Sequence, residues 1–238
     1  HGPDTDNQPD VIKYAIARRT GENLSSTFTS VIEPYVANRF VEEVESVEVT
    51  TDDDASADAR AVKVELSNGR TDYVARGSDT DTTYEVGDVF KFQGFFALYS
   101  ERDGEPVHAY LNDGRLLIAS GEELIQEPYA RFTGSVQDFT REMKIENELD
   151  IQVNANVNEF DRAIGEHIYV QTDGLVNGVY PVQDAEKGQN NRVTVDVGER
   201  TTIESFKNPD QLDDGGYEYY LDEGDEFYVP LSATWSAD

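Results

Sequence analysis

Two His-x-Tyr pairs, His108-Ala109-Tyr110 and His167-Ile168-Tyr169, carry the residue types in this chain best suited to proton transfer. An imidazole exchanges its proton near neutral pH, and a phenol does so once its surroundings tune it. On an extended strand, residues i and i+2 share one face about 7 Å apart, so each pair would place a base beside an acid. Plain alternation accounts for the same residues. Val107, Ala109 and Leu111 bracket the first pair, and Ile168 and Val170 interleave with the second, so both read as the wet side of a core-facing row. No basic cluster lies near either pair in the sequence.

Other side chains suit binding. Arg18-Arg19 could grip a carboxylate or sulfate with forked donors, or pair with the many carboxylates of the chain. Trp235 and exposed tyrosines could serve as stacking platforms for a sugar ring. Glu33 orders the turn at Pro34. Asp4, Asp6 and Asp10 (with Asn7), then Asp79, Asp81 and Asp88, then Asp213-Asp214, offer oxygen ligands of the kind Ca2+ takes. None has the spacing of a helix-loop-helix calcium loop, and such groupings are expected among 49 acidic residues. His1, His108 and His167 lack zinc-ligand spacing, and there is no Cys. Phosphate-binding glycine loops and nucleophile elbows are also absent from the sequence. No cofactor is expected; Ca2+ stays open.

Charge narrows the partners. Against 49 Asp+Glu stand 19 Lys+Arg, of which 13 are Arg and 6 Lys, a formal net charge of −30. Phosphate recognition needs basic patches, so nucleic acid and anionic membranes are poor partners. A carboxylate-rich, Lys-poor surface suits concentrated salt, which screens its self-repulsion. A halophilic or marine source and an extracellular or periplasmic location follow as expectations. With 37% hydrophobic residues, 13 Tyr and 11 Phe, the chain has the material for a core. No apolar run is long enough for a membrane helix. A start at His1-Gly2-Pro3, without Met or a signal region, reads as a mature product or part of a longer protein.

The elements that must position these residues are strands. Leu149, Ile151, Val153, Ala155 and Val157 alternate with polar residues, as do Val193, Val195 and Val197, and Val62, Val64 and Leu66. One dry and one wet face per segment is the mark of antiparallel sheets. Asn68-Gly69, Asp113-Gly114 and Asn177-Gly178 supply the positive φ that tight hairpins need. Further turns are expected at Thr20–Asn23, Arg102–Glu105, Gly198-Glu199 and Glu223-Gly224, and a single helical turn within Glu204–Gly215. The aromatics around Phe90–Tyr99 and Tyr217–Tyr228 read chiefly as core. The fold class is therefore all-β, an antiparallel β-sandwich. Two sub-sheets, 1–128 and 129–238, and one continuous domain both fit a soft boundary at Glu127-Pro128.

Several stretches resemble a known family. YAIARRTGENLSSTFTSVIEPY (Tyr14–Tyr35), LSNGRTDYV, GFFALYSERDG, GEHIYVQTDGLVNGVYPV (Gly165–Val182), VTVDVGERTTIESF and GYEYYLDEGDEFYVP (Gly216–Pro230) are similar to the C-terminal β region of heparinase II/III-like polysaccharide lyases. That resemblance implies β-sandwich material following a helical (α/α) domain, in enzymes that cleave uronate-containing polysaccharides by β-elimination. Such chemistry needs a base for the C5 proton, an acid for the leaving oxygen and a neutraliser for the carboxylate. The family's catalytic Tyr and His lie in the helical barrel and the sandwich nearest it, so no catalytic position carries over. The expectation is an accessory region, noncatalytic alone, whose partners are the helical domain and, through the whole enzyme, an acidic polysaccharide. The alternative is a stand-alone carbohydrate-binding or cell-surface module.

Overall fold

The computed structural model describes residues 16–24, 26–51, 58–208, 210–211 and 214–237. The chain divides into two compact units, 1–34 and 35–238. In the first, the described residues form no helix or strand; a turn at Glu22-Asn23 places Asn23 at φ +53°.

The second unit is all-β and antiparallel throughout. Its first sheet, of nine strands, holds β1 (Val41–Val47), β2 (Val49–Thr51), β3 (Arg60–Leu66), β4 (Arg70–Arg76) and β5 (Thr83–Val86). It continues with β6 (Phe90–Arg102), β7 (Glu105–Ala119), β8 (Glu122–Gln126) and the final strand β18 (Ser232–Ser236). Expected hairpin chemistry appears at Ser67–Gly69 and at Asp103-Gly104, where both residues take positive φ. Asp113-Gly114 does something else. It lies inside the uninterrupted strand β7, and the turn closing that strand is Ser120-Gly121.

The reason is a glycine opposite a glycine. Gly94 of β6 pairs with Gly114, beside a register shift, and a Cβ on Gly94 would sit 2.7 Å from Gly114 Cα. Without side chains the two backbones close up and the long hairpin bends. Before the bend β6 pairs with β5; after it, with β4. On the far edge, β7 pairs with β18 and then β8. Phe90, from one side of the bend, meets Tyr99 from the other at 5.4 Å, so both halves enclose one core with Phe92, Leu111 and Leu117.

The second sheet, of seven strands, runs in the order β12-β11-β17-β9-β10-β14-β13. Its members are β9 (Arg131–Phe139), β10 (Asn147–Val153), β11 (His167–Thr172), β12 (Leu175–Pro181), β13 (Asp184–Lys187), β14 (Arg192–Gly198) and β17 (Glu226–Pro230). β15 (Ile203–Phe206) and β16 (Tyr217–Tyr219) form a separate two-stranded ribbon. Leu149, Ile151, Val153, Val193, Val195 and Val197 all face the core, as their alternation requires. The strand reading through Val157 overshoots: β10 stops at Val153, and Asn156 caps a 3-10 helix, Val157–Ala163, that drops Phe160 into the same core. The turn between β11 and β12 is Asp173-Gly174, not Asn177-Gly178. Gly178 lies within β12, where a Cβ would meet Tyr180 Cε2 at 2.5 Å. A single turn at Asp214–Gly216 forms between β15 and β16.

The first eight strands end at Gln126 and the second sheet starts at Arg131, but β18 returns to pair with β7. The last residues thus tie the second sheet back to the first.

Candidate functional site

The two His-x-Tyr pairs lie on different sheets. In β7, Ala109 and Leu111 are fully buried while His108 and Tyr110 point outward with the alternation. Both reach across to β18: His108 Nδ1 lies 2.9 Å from Ser236 Oγ, and Tyr110 Oη 2.9 Å from Ser232 Oγ. Asn112 donates to the same Ser232 Oγ, and the Ser232 amide donates to Glu166 Oε1 of the second sheet's connecting loop at 3.1 Å. These contacts hold the closing strand in place. In β11, His167 is exposed and Tyr169 half-buried. Trp235 packs partly buried against the first core. Arg18 and Arg19 are exposed. Asp4, Asp6, Asp10 and Asp213 lie outside the described residues.

Asp79 has a local structural task. Its Oδ1 accepts from the Asp81 and Thr82 amides, and its Oδ2 from Thr82 Oγ1 and Tyr84 Oη. Burial pushes its carboxyl upward, but the bonds from Thr82, Asp81 and Tyr84 outweigh that and hold it below the usual Asp value. Among the described residues no group of three or more His, Asp or Glu side chains converges as a metal-ligand set.

Two clefts remain. The larger, about 470 Å3, opens where the turn before β6, the Gly104 turn and the Ser120-Gly121 turn meet. Glu101 sits at its rim, with Oε1 and Oε2 accepting from Tyr73 Oη at 3.3 Å and Tyr99 Oη at 3.5 Å. Burial, with the Glu101 charge beside it, pushes the Tyr73 phenol up to about 12; burial raises Tyr99 as well. Such phenols stay protonated at neutral pH and act there as hydrogen-bond donors.

The smaller cleft, about 300 Å3, lies on the outer face of the second sheet. Register builds it: Tyr169 pairs with Tyr228, and Tyr228 with Thr133, while Gln171 pairs with Glu226 in the neighbouring row. Tyr169 and Tyr228 stack with centroids 5.0 Å apart and planes 7° from parallel. Arg131 lies 4.8 Å over the Tyr228 ring and bonds Asp113 through Nε at 2.7 Å and through Nη2. Burial raises the Tyr228 phenol, and the Arg131 charge opposes it. Gly134 lends its backbone to the lining, and a Cβ there would come within 1.8 Å of Gln152 O and 2.8 Å of Phe227 Cε1 in the core. Asn154, Gln171 and Glu226 complete the lining.

Of the residues singled out in the sequence, only Tyr169 belongs to this arrangement. Tyr228 belongs to the aromatics that the sequence reads chiefly as core; β17 buries Phe227 and turns Tyr228 outward. Arg131, Gln171, Glu226 and Asn154 carry no local motif, and only strand register brings them together. Compared with family models, with curated proteins and with solved structures, the chain finds no match. No helix among the described residues is long and apolar enough to cross a membrane.

Proposed function

We propose that this chain is the C-terminal accessory β region of a secreted polysaccharide lyase of the heparinase II/III-like kind. It is noncatalytic by itself and braces a helical domain that acts on a uronate-containing glycan in a high-salt setting. One observation carries the reading. One of the resembling stretches, Tyr14–Tyr35, holds Ile16, Phe28 and Ile32 at 86%, 58% and 88% exposure, outside the two cores that gather the buried apolar side chains of the sheets. Apolar side chains left in water along one segment favour a partner that covers them where they gather into a patch. The occupant in this reading is the lyase's helical domain, and Arg18-Arg19 would meet its carboxylates.

The test compares the isolated chain with the whole polypeptide encoded at its gene. On a uronate polysaccharide, the whole polypeptide should raise ultraviolet absorbance as unsaturated uronate forms, and the isolated chain should not. Amide exchange over 26–35 should slow in the whole polypeptide. An encoded polypeptide without a helical domain, or unchanged exchange there, would sink the reading. A second reading, a stand-alone carbohydrate-binding module, is favoured by the polar cleft beside Tyr228 and predicts glycan affinity in the isolated chain.

A further inference from the structure

We infer that the outer face of the first sheet is a docking surface for an amphipathic helix whose apolar stripe is flanked by Asp and Glu. From the reading above the inference takes only that the partner is helical; its place and charge come from strand register.

Alternation fixes which residues face outward. Ala61, Tyr73, Ala75, Ala97 and Tyr99 point into the first core, so the residues between them in β3, β4 and β6 point the other way. Pairing sets Val62 beside Val74, Val74 beside Leu98, and Leu98 beside Tyr110 of β7. All four are half-buried, and none belongs to either core. Three steps from strand to strand make this a row about 14 Å long. Val44 of the edge strand β1, 46% exposed and paired with Val64, broadens it. An antiparallel sheet with one wet face carries polar residues there. Apolar residues on both faces belong to a sheet that is covered on both sides.

Charge names the partner. The row next to the apolar one runs Arg60, Arg76, Phe96, and Arg70 pairs with Arg102 at the opposite end of the face. Against these four arginines the outward positions of β3, β4 and β6 hold one carboxylate, Asp72, already bonded to Arg70 and Ser100. Glu105 pairs with Arg102 where the hairpin closes, and the rest of the face stays cationic. In a chain of net charge −30 this is a local reversal of sign. A second copy laid face to face would set arginines against arginines, so the complement is an acidic surface of another kind. A helix about 10 Å across covers the apolar row with its stripe. Carboxylates beside that stripe reach Arg60 and Arg76, which lie one row, about 7 Å, away.

The experiment is hydroxyl-radical footprinting, read by mass spectrometry, of the isolated chain and of the whole polypeptide encoded at its gene. In the isolated chain Phe96, Leu98 and Tyr110 should be labelled. In the whole polypeptide they should lose most of that label, while Met143, 64% exposed on a loop of the second sheet, keeps its own. Arg60→Glu combined with Arg76→Glu should restore the label, and the corresponding pair of Gln substitutions should restore part of it. Lys144→Glu, on the same loop as Met143, should leave protection as it was. Arg60 and Arg76 are exposed, so these changes spare the core, which melting of the isolated variants checks. A face labelled equally in both forms, or protection indifferent to charge reversal, would overturn the assignment. So would label in the isolated chain that falls as its concentration rises, since a second copy would then be the occupant. The lyase reading is scored separately by ultraviolet absorbance. Activity without protection sinks only the docking face, and protection without activity sinks only the lyase.

Discussion

Arg131, the first residue of the second sheet, closes a two-pronged hydrogen bond on Asp113, which sits at the bend of the first sheet with φ +52°. The Asp113 side chain is only 7% exposed and that of Arg131 32%. The Asp113 amide also donates to Leu231 O at 2.9 Å, beside the strand that returns to β7. Through its buried carboxylate and its backbone amide, Asp113 thus joins three segments that are distant in sequence. Removing Arg131 would strand that charge.

Arg131→Ala should accordingly cost about 2–4 kcal/mol, somewhat below the range for a fully buried pair because the guanidinium is part-exposed. Asp113→Asn should cost less, since Asn tolerates positive φ and leaves no buried charge behind. Denaturant melts of both variants check the order. An Asp113→Asn variant less stable than Arg131→Ala would show that the carboxylate, and not its orphaning, governs the junction.

The bend makes a second prediction. Gly114→Ala places a Cβ 2.5 Å from Gln93 O, an atom held by the sheet, so the cost should exceed about 2 kcal/mol. Gly104→Ala, at φ +80° with nothing within 4 Å, should lose only the glycine's conformational advantage, about 1 kcal/mol. Thermal melts of the two variants, made identically, decide it. Equal losses would mean that the contact between β6 and β7 is not what demands glycine.

Salt should stabilise the chain. With a net charge of −30, self-repulsion is strongest at low ionic strength and is cut as the screening length falls from about 10 Å at 0.1 M to about 3 Å at 1 M. Melting temperature should rise steadily over that range in sodium chloride, and in potassium chloride alike because the effect is screening. A flat or falling curve would remove the physical argument for a high-salt habitat.

These junctions explain what the sequence could and could not tell. Leu149, Ile151 and Val153 betray their sheet because burial on one face writes itself into every second residue. Asp103-Gly104 betrays its hairpin because the turn's φ angles are local. Asp113-Gly114 misleads for a reason that is not local. The same dipeptide lies mid-strand because Gly94, in the strand before it, permits the backbones to close, and only strand pairing reveals that. The cleft is harder still. Tyr169 could be picked out by type, but Tyr228, Gln171 and Glu226 become neighbours only once β11 lies against β17. Asn177-Gly178 fails as a turn for yet another reason: Gly178 is there to make room for Tyr180.

Tyr73 offers a pH test with a defined sign. Its phenol is pushed up to about 12, first by burial and then by the Glu101 carboxylate, from an unfolded value near 10.0. Between those values the folded chain holds a proton that the unfolded chain releases, so stability is complete below pH 10 and drains away as pH climbs toward 12. Alkaline absorbance titration should therefore show tyrosines ionising in two groups. The late group should include Tyr73 and vanish on unfolding. Tyr73→Phe should reduce the late amplitude by one phenol. Glu101→Gln, by removing the neighbouring charge while burial stays, should move Tyr73 only part of the way back. A full return would mean that charge, not desolvation, dominates at the rim of the larger cleft.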